Sequence, residues 1–338
     1  MRFVSTRGQA GSVSFSEAVA QGLAPDGGLY LPDEFPDITS YLSDWENMSY
    51  PELCFSFFRL FASDIEENNL RKLVNDSYSR FSHREIAPIV SLHENLKILE
   101  LFHGPTLAFK DFALQLLGNI YEEQIKKNGK PLTILGATSG DTGAAAIAGL
   151  LGKKGVTVFI LFPDGKVSPL QERQMTCTEA ENVYPLAIEG TFDDCQDLVK
   201  AMFNDLEYRN KLRLGAVNSI NWARVMAQIV YYVVASERLG SHDQPVIFSV
   251  PTGNFGNVFA GHAARNCGLN IPKLLVASNK NDILTQFFTS AEMKIDEVIP
   301  TLSPSMDIQI SSNLERLIFE LFERDGTKVK NLLEKFRA

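Results

Sequence analysis

The chain has 338 residues, 45% hydrophobic and 22% charged, long enough to bury a large core and too mixed for a disordered, collagen-like or coiled-coil polypeptide. With 32 Lys plus Arg against 41 Asp plus Glu the net charge is −9, which argues against a general nucleic-acid or anionic-membrane binder and requires any anionic ligand to be held locally. Cys54, Cys177, Cys195 and Cys267 lie far apart with no C-x-x-C pair, so no metal site or disulfide framework is expected and all four read as buried thiols in a reducing compartment. Residues 1–8 lack an apolar signal core, and no stretch approaches the roughly 20 apolar residues of a membrane span. A cytoplasmic protein is expected.

In chain order, residues 1–85 mix short helical patterns with turn clusters such as Ala24-Pro25-Asp26-Gly27-Gly28. From Leu96 onward, short β-rich runs alternate with helix-period segments, the βαβ signature of an α/β protein with a parallel sheet. The expected strands are Leu132–Leu135, Val156–Phe162, Val183–Ile188, Val246–Val250 and Leu274–Ala277. Leu117, Tyr121 and Ile125 at four-residue spacing predict a helix after Lys110-Asp111, stopped by Asn128-Gly129. Lys110 therefore sits where a loop becomes a helix. Ser168-Pro169-Leu170-Gln171 predicts a capping box, and Thr191-Phe192-Asp193-Asp194 another, before a helix running to about Tyr208. Beyond Asn279 the pattern turns helical and loop-rich, ending in Leu314–Phe322 and Val329–Phe336. Three parts are expected: an N-terminal segment 1–85, an α/β core 86–285, and a helical part 286–338.

Two glycine-rich loops each follow an expected strand and open an expected helix. Gly136-Ala137-Thr138-Ser139-Gly140-Asp141-Thr142-Gly143 leads into Ala144–Leu151, and Thr252-Gly253-Asn254-Phe255-Gly256-Asn257 leads into Val258–Arg265. Neither fits a P-loop or a full G-x-G-x-x-G. They are either tight βα turns or anion cradles, in which backbone N–H groups and the helix dipole face a negative ligand. Three or four N–H groups at about 1.5–3 kcal/mol each could supply much of the roughly 8 kcal/mol of a micromolar ligand. The segment His103-Gly104-Pro105-Thr106-Leu107-Ala108-Phe109-Lys110-Asp111 sets one Lys after an apolar run at a helix start. Desolvation and the helix dipole would both favour its neutral amine. It reads either as a snorkelling surface Lys or as a Schiff-base lysine, for which pyridoxal 5′-phosphate would supply the aldehyde and a phosphate for one cradle.

The segment His103–Asp111 resembles the pyridoxal-lysine motif of the threonine synthase family. Ala137–Gly143, Asn218-Ser219-Ile220-Asn221-Trp222-Ala223-Arg224 and Val250–Asn257 resemble that family's further signatures in the same order, and Ser14–Ala18 with Gly22–Tyr30 is similar to its opening. The resemblance implies fold type II (tryptophan synthase β-like), two α/β domains with pyridoxal phosphate in the cleft, and a small mobile subdomain at about 112–215. It implies conversion of O-phospho-L-homoserine and water to L-threonine and phosphate, the last step of threonine biosynthesis. Lys110 would bind the cofactor covalently and move protons, with Phe109 beside it. Gly253, Asn254, Phe255, Gly256 and Asn257 would hold the cofactor phosphate. Thr106, Thr138, Ser139, Gly140, Asp141 and Thr142 would meet the substrate's α-carboxylate end, Asp141 also touching the cofactor ring oxygen. Arg224, Asn218, Ser219, Lys166 and Ser168 would bind the substrate's own phosphate. His103 reads either as a cofactor-stacking or loop-fixing residue or as a hydrogen-bonded structural His, and Asp111 as a helix N-terminal acid rather than a proton carrier.

The family's pattern continues past Ala338 with a core strand and a hydroxyl residue facing the pyridine nitrogen, for which this sequence has no counterpart. Either the sequence is a fragment or shortened chain, or something else completes the sheet. The alternatives are a serine or threonine dehydratase of the same fold, which needs no substrate phosphate, and a non-catalytic cofactor-binding remnant. No nucleic-acid or membrane partner is expected, and the sequence does not choose between a monomer and a homodimer.

Overall fold

The computed structural model describes residues 1–239 and 244–337, with the side chains of 206 and 337 left aside. The chain forms two compact units: Met1–Glu66 joined by everything described from Ser219 onward, and Glu67–Asn218.

The first unit opens with β1 (Phe3–Ser5), α1 (Phe15–Gln21), β2 (Tyr30–Pro32), α2 (Leu42–Trp45) and α3 (Tyr50–Phe61), β1 and β2 pairing antiparallel. The chain then builds the second unit from α4 (Glu67–Tyr78), a hairpin of β3 (Ile89–His93) and β4 (Leu96–Leu99), and α5 (Asp111–Asn128). After these come β5 (Leu132–Ala137), α6 (Asp141–Leu150), β6 (Val156–Pro163), α7 (Pro169–Thr176), β7 (Val183–Ile188), α8 (Phe192–Asn204), α9 (Leu206–Leu212) and β8 (Leu214–Gly215). Back in the first unit lie α10 (Trp222–Arg238), β9 (Phe248–Pro251), α11 (Gly256–Asn266), β10 (Leu274–Ala277), α12 (Ile283–Ser290), α13 (Leu314–Leu321) and α14 (Gly326–Arg337).

The second unit centres on a wholly parallel sheet of order β7-β6-β5-β8. Helix α8 covers one face, where Leu135, Leu161, Cys195 and Val199 form a buried cluster. Helices α5 and α6 meet each other at glycines. A Cβ on Gly118 would stand 2.1 Å from the Gly149 carbonyl oxygen, and one on Gly149 would stand 2.3 Å from that of Leu114. Backbone therefore touches backbone, a separation closed to any larger residue. Gly118 lies eight residues after Lys110 and Gly149 eight after Asp141, so the N-terminal ends of both helices lie about 12 Å from the contact.

In the first unit α10 is buried from Trp222 to Glu237. Trp222 packs against Phe3 and Phe61 at centroid distances of 6.1 Å each. Such rings contribute large buried area with fixed geometry. Strand β9 leads through the glycine-rich loop into α11, and β10 follows that helix to pair parallel with β9.

Several expectations need correction. Helix α6 starts at Asp141, inside the first glycine loop, and α11 starts at Gly256 inside the second; glycine set the expected boundary too late, because each loop's last residues already have helical backbone. The helix after Thr191 ends at Asn204 rather than near Tyr208. Asp205 takes an extended ψ of 98° and caps the separate α9 by accepting from the Tyr208 N–H at 2.9 Å. Ser168 accepts from the Gln171 N–H at 3.3 Å, but the Gln171 side chain turns toward Gly140 instead of closing the box. Cys177 is exposed, unlike Cys54, Cys195 and Cys267, because it caps the solvent end of α7. The fourth expected strand is shifted to Phe248–Pro251, and β1 to β4 and β8 lie outside the expected set. No helix among the described residues is long and apolar enough to cross a membrane.

Candidate active site

Lys110 is the N-cap residue of α5, and Asp141 is the first residue of α6. The Lys110 Nζ lies 2.7 Å from Asp141 Oδ2, with the two side chains only 12% and 16% exposed. The same Nζ stands 5.8 Å from the Phe109 ring centroid. This is no snorkelling surface lysine. The apolar run before it does not provide the shielding, since Leu107 is 62% exposed with a left-handed φ of 61°. A carboxylate this close also favours the ammonium, opposing the desolvation and dipole effects expected from sequence.

The loop carrying Lys110 is latched by the residue after it. Asp111 is fully buried; its Oδ2 accepts from the Thr106 N–H at 2.8 Å and its Oδ1 from the Thr106 hydroxyl at 2.8 Å. Burial raises its carboxyl above the usual range, with those hydrogen bonds pulling the other way. Gln174 of α7 donates to the Thr106 carbonyl at 3.1 Å. His103 is tied to Glu100 through Nε2 at 2.7 Å, and its carbonyl accepts from the Ser82 N–H at 2.9 Å.

The loop before α6 is organised by Thr138, which is 2% exposed and whose Oγ1 accepts from the N–H groups of Gly140 at 3.0 Å and Gly143 at 2.8 Å. Gly140 has φ 141°, a conformation that favours glycine, and a Cβ there would collide with Gln171 Oε1 at 2.0 Å. Ser139 and Thr142 are half-buried beside it. Farther along the same unit, Lys166 and Ser168 are exposed. The charge of Lys166 adds to the Thr191 hydrogen bonds that hold the Asp194 carboxyl below its usual range. Asn218 is exposed at the end of this unit.

In the other unit, the loop between β9 and α11 is fixed through its carbonyls and side chains. Ser311 Oγ donates to the Gly253 carbonyl at 2.7 Å, the Ser312 N–H donates to Asn254 Oδ1 at 2.7 Å, and Asn313 Nδ2 donates to the Asn254 carbonyl at 3.0 Å. Asn254 Nδ2 donates to Ser219 Oγ. The hydroxyls of Tyr231 and Tyr232 donate to Asn257 Oδ1. Phe255 is buried with φ 60° and no side chain caps α11. Among the described residues, no protein acceptor meets the amide N–H groups from Gly253 to Asn257. A rigid loop offering its N–H side at a helix N-terminus suits a phosphate. Arg224, in the first turn of α10, is 2% exposed.

The structure thus brings Lys110 together with Phe109 and Asp141, and Asn254 together with Ser219. Asp111, the first residue of α5 as expected of a helix N-terminal acid, also latches the loop to Thr106, and the structure adds Tyr231, Tyr232 and Ser311 to Asn313 as braces outside the motifs. Ser-Ser-Asn before a helix signals only a helix start, not a loop nearly sixty residues upstream.

A shielded primary amine at a helix start and a separate nest of amide N–H groups are the donor set that pyridoxal phosphate needs for its aldehyde and its phosphate, so the residues fit the cofactor. The family "Pyridoxal-phosphate dependent enzyme" matches residues 90–332, and "Threonine synthase N terminus" matches residues 2–78. Fold and match together define a fold-type II pyridoxal-phosphate-dependent enzyme. The chain is 50% identical to threonine synthase of Pseudomonas aeruginosa, all of this chain aligning with 72% of that protein. It is also 50% identical to that of Schizosaccharomyces pombe, over 94% of this chain and 67% of the other. The crystal structure of PLP-bound threonine synthase from Brucella melitensis superposes with a TM-score of 0.97 at 48% identity, covering 100% of this chain and 73% of that one. The chain belongs to the threonine synthase family.

Proposed function

We propose that this chain converts O-phospho-L-homoserine and water to L-threonine and phosphate. The observation that carries the reading is the nearly buried amine of Lys110, held 2.7 Å from Asp141 at the mouths of two helices. When bound, pyridoxal phosphate supplies an aldehyde for that amine and an electron sink that acidifies the hydrogens of the bound amino acid.

Lys110, once free of the cofactor, takes the proton from the substrate Cα and moves protons at Cβ, which lets the γ-phosphate leave and water add at Cβ. Its shielding keeps bulk water from competing for those protons. The N–H groups of Gly253, Asn254, Phe255, Gly256 and Asn257 hold the cofactor phosphate. Ser139, Gly140 and Thr142, on the loop shaped by Thr138, orient the α-carboxylate together with Thr106; Asp141 addresses the cofactor ring oxygen. Arg224 takes the substrate phosphate, a bidentate partner that a −9 protein must supply locally. Ser219 is a further donor beside Arg224, and Asn218, Lys166 and Ser168 are the phosphate donors of the second unit.

The test is to incubate the purified chain with pyridoxal phosphate, reduce with borohydride, map the labelled peptide, and assay phosphate and threonine formed from O-phospho-L-homoserine. Label on Lys110 with equal yields of both products is expected. Ammonia from L-serine without phosphate release from phosphohomoserine would select the dehydratase instead, and label without any turnover the non-catalytic remnant.

A further inference from the structure

Arg316 of α13 is wholly buried. Its Nε and Nη2 donate to the Tyr30 carbonyl at 3.0 and 2.8 Å, Nη2 also reaches the Ile220 carbonyl at 2.5 Å, and Nη1 donates to Asn313 Oδ1. Two of these partners lead directly to proposed anion-binding elements. Asn313 donates through Nδ2 to the carbonyl of Asn254, in the cofactor-phosphate loop. Ile220 follows Ser219 and precedes the helix that carries Arg224. Asn254 Nδ2 donates back to Ser219 Oγ. The contacts close a ring: Arg316 to Asn313, Asn313 to Asn254, Asn254 to Ser219, and through Ile220 back to Arg316.

A buried guanidinium is an expensive way to obtain stability alone, since an apolar residue of similar size in a dry core often does as well. Burial here pushes Arg316 down to about 9. What an apolar residue cannot do is hold three acceptors at fixed angles, and Lys lacks the planar fork for it. We infer that Arg316 is a positioning residue that fixes the spacing between the cofactor-phosphate loop and the Ser219 segment leading to Arg224. The inference rests on the proposed function and assigns it a residue that touches neither ligand.

The experiment compares Arg316→Lys and Asn313→Ala with Ile318→Ala, a packing change on the same helix at a residue 8% exposed. Thermal melts report stability, and pyridoxal-phosphate titration followed by absorbance, well below each melting temperature, reports cofactor affinity. Both ring variants should bind the cofactor at least about tenfold more weakly, the usual scale for loss of a supporting contact, and raise KM for phosphohomoserine more than they lower kcat. Ile318→Ala should lose comparable stability yet bind within about twofold of the unsubstituted chain. If Arg316→Lys does not fold, Asn313→Ala decides. Unchanged affinity in the ring variants, or an equal loss in Ile318→Ala, overturns the inference and leaves the proposed function standing. An unsubstituted chain that takes up no cofactor overturns both.

Discussion

Lys110 and Asp141 form an ion pair between the starts of two neighbouring helices, Nζ to Oδ2 at 2.7 Å. An opposite charge at that distance favours the ammonium, whereas attack on an aldehyde needs the neutral amine. On the proposed function, the carboxylate therefore restrains the lysine until the cofactor arrives. Asp141→Asn removes the restraint while keeping the shape. Cofactor uptake at pH 7, followed as the rate of colour development, should speed up in this variant. An unchanged rate would mean that Asp141 does not govern the protonation of Lys110.

Thr138 is the internal scaffold of its loop. Thr138→Val keeps the shape and leaves the buried N–H groups of Gly140 and Gly143 without their acceptor. A loss of roughly 1–3 kcal/mol in urea unfolding is expected. Thr138→Ser should recover most of it, because the hydroxyl alone makes both contacts.

Arg224→Ala should raise KM for O-phospho-L-homoserine by roughly 30-fold or more, the cost of leaving a doubly charged group without its partner. Cofactor affinity should change far less, since the N–H nest on the loop before α11 is untouched. Steady-state kinetics with a parallel cofactor titration separates the two. A KM that does not move would reassign this buried Arg to the scaffold of α10.

His262 on α11 has its Nδ1 facing Arg265 Nη2 at 3.1 Å. Burial, reinforced by that guanidinium, pushes it down from 6.5 to about 4. The unfolded chain therefore takes up a proton between those values before the folded one does. The contribution of His262 to stability is fully present above pH 6.5 and is lost as pH falls toward 4, by no more than about 3 kcal/mol. His262→Gln should flatten the stability profile across that window, as measured by urea unfolding at a series of pH values.

Much of this was legible in the sequence because it is local. The alternation that predicts β5, β6 and β7 needs only neighbours in the chain, and Asn128-Gly129 stops α5 where it should, Gly129 taking the left-handed φ of 67°. Lys110 could be placed at a helix start for the same reason. What stayed hidden depends on distant partners. Nothing around Asp141 announces that it meets Lys110, and nothing around Asn313 says that it holds Asn254. The short strands β1 and β2 gain their hydrogen bonds from each other across a helix, so neither carries a signal of its own. Leu107 is a false signal, since apolar character does not entail burial and the turn that carries it points the side chain outward.

The paired glycines of α5 and α6 give the Lys110–Asp141 pair a remote determinant. A methyl group at Gly118 or Gly149 would pry the two rods apart, and because both are stiff over two turns, the gap would open between Lys110 and Asp141 as well. In a saturation mutagenesis screen for turnover, these two small residues should therefore score like members of the reaction centre, though neither could touch a substrate.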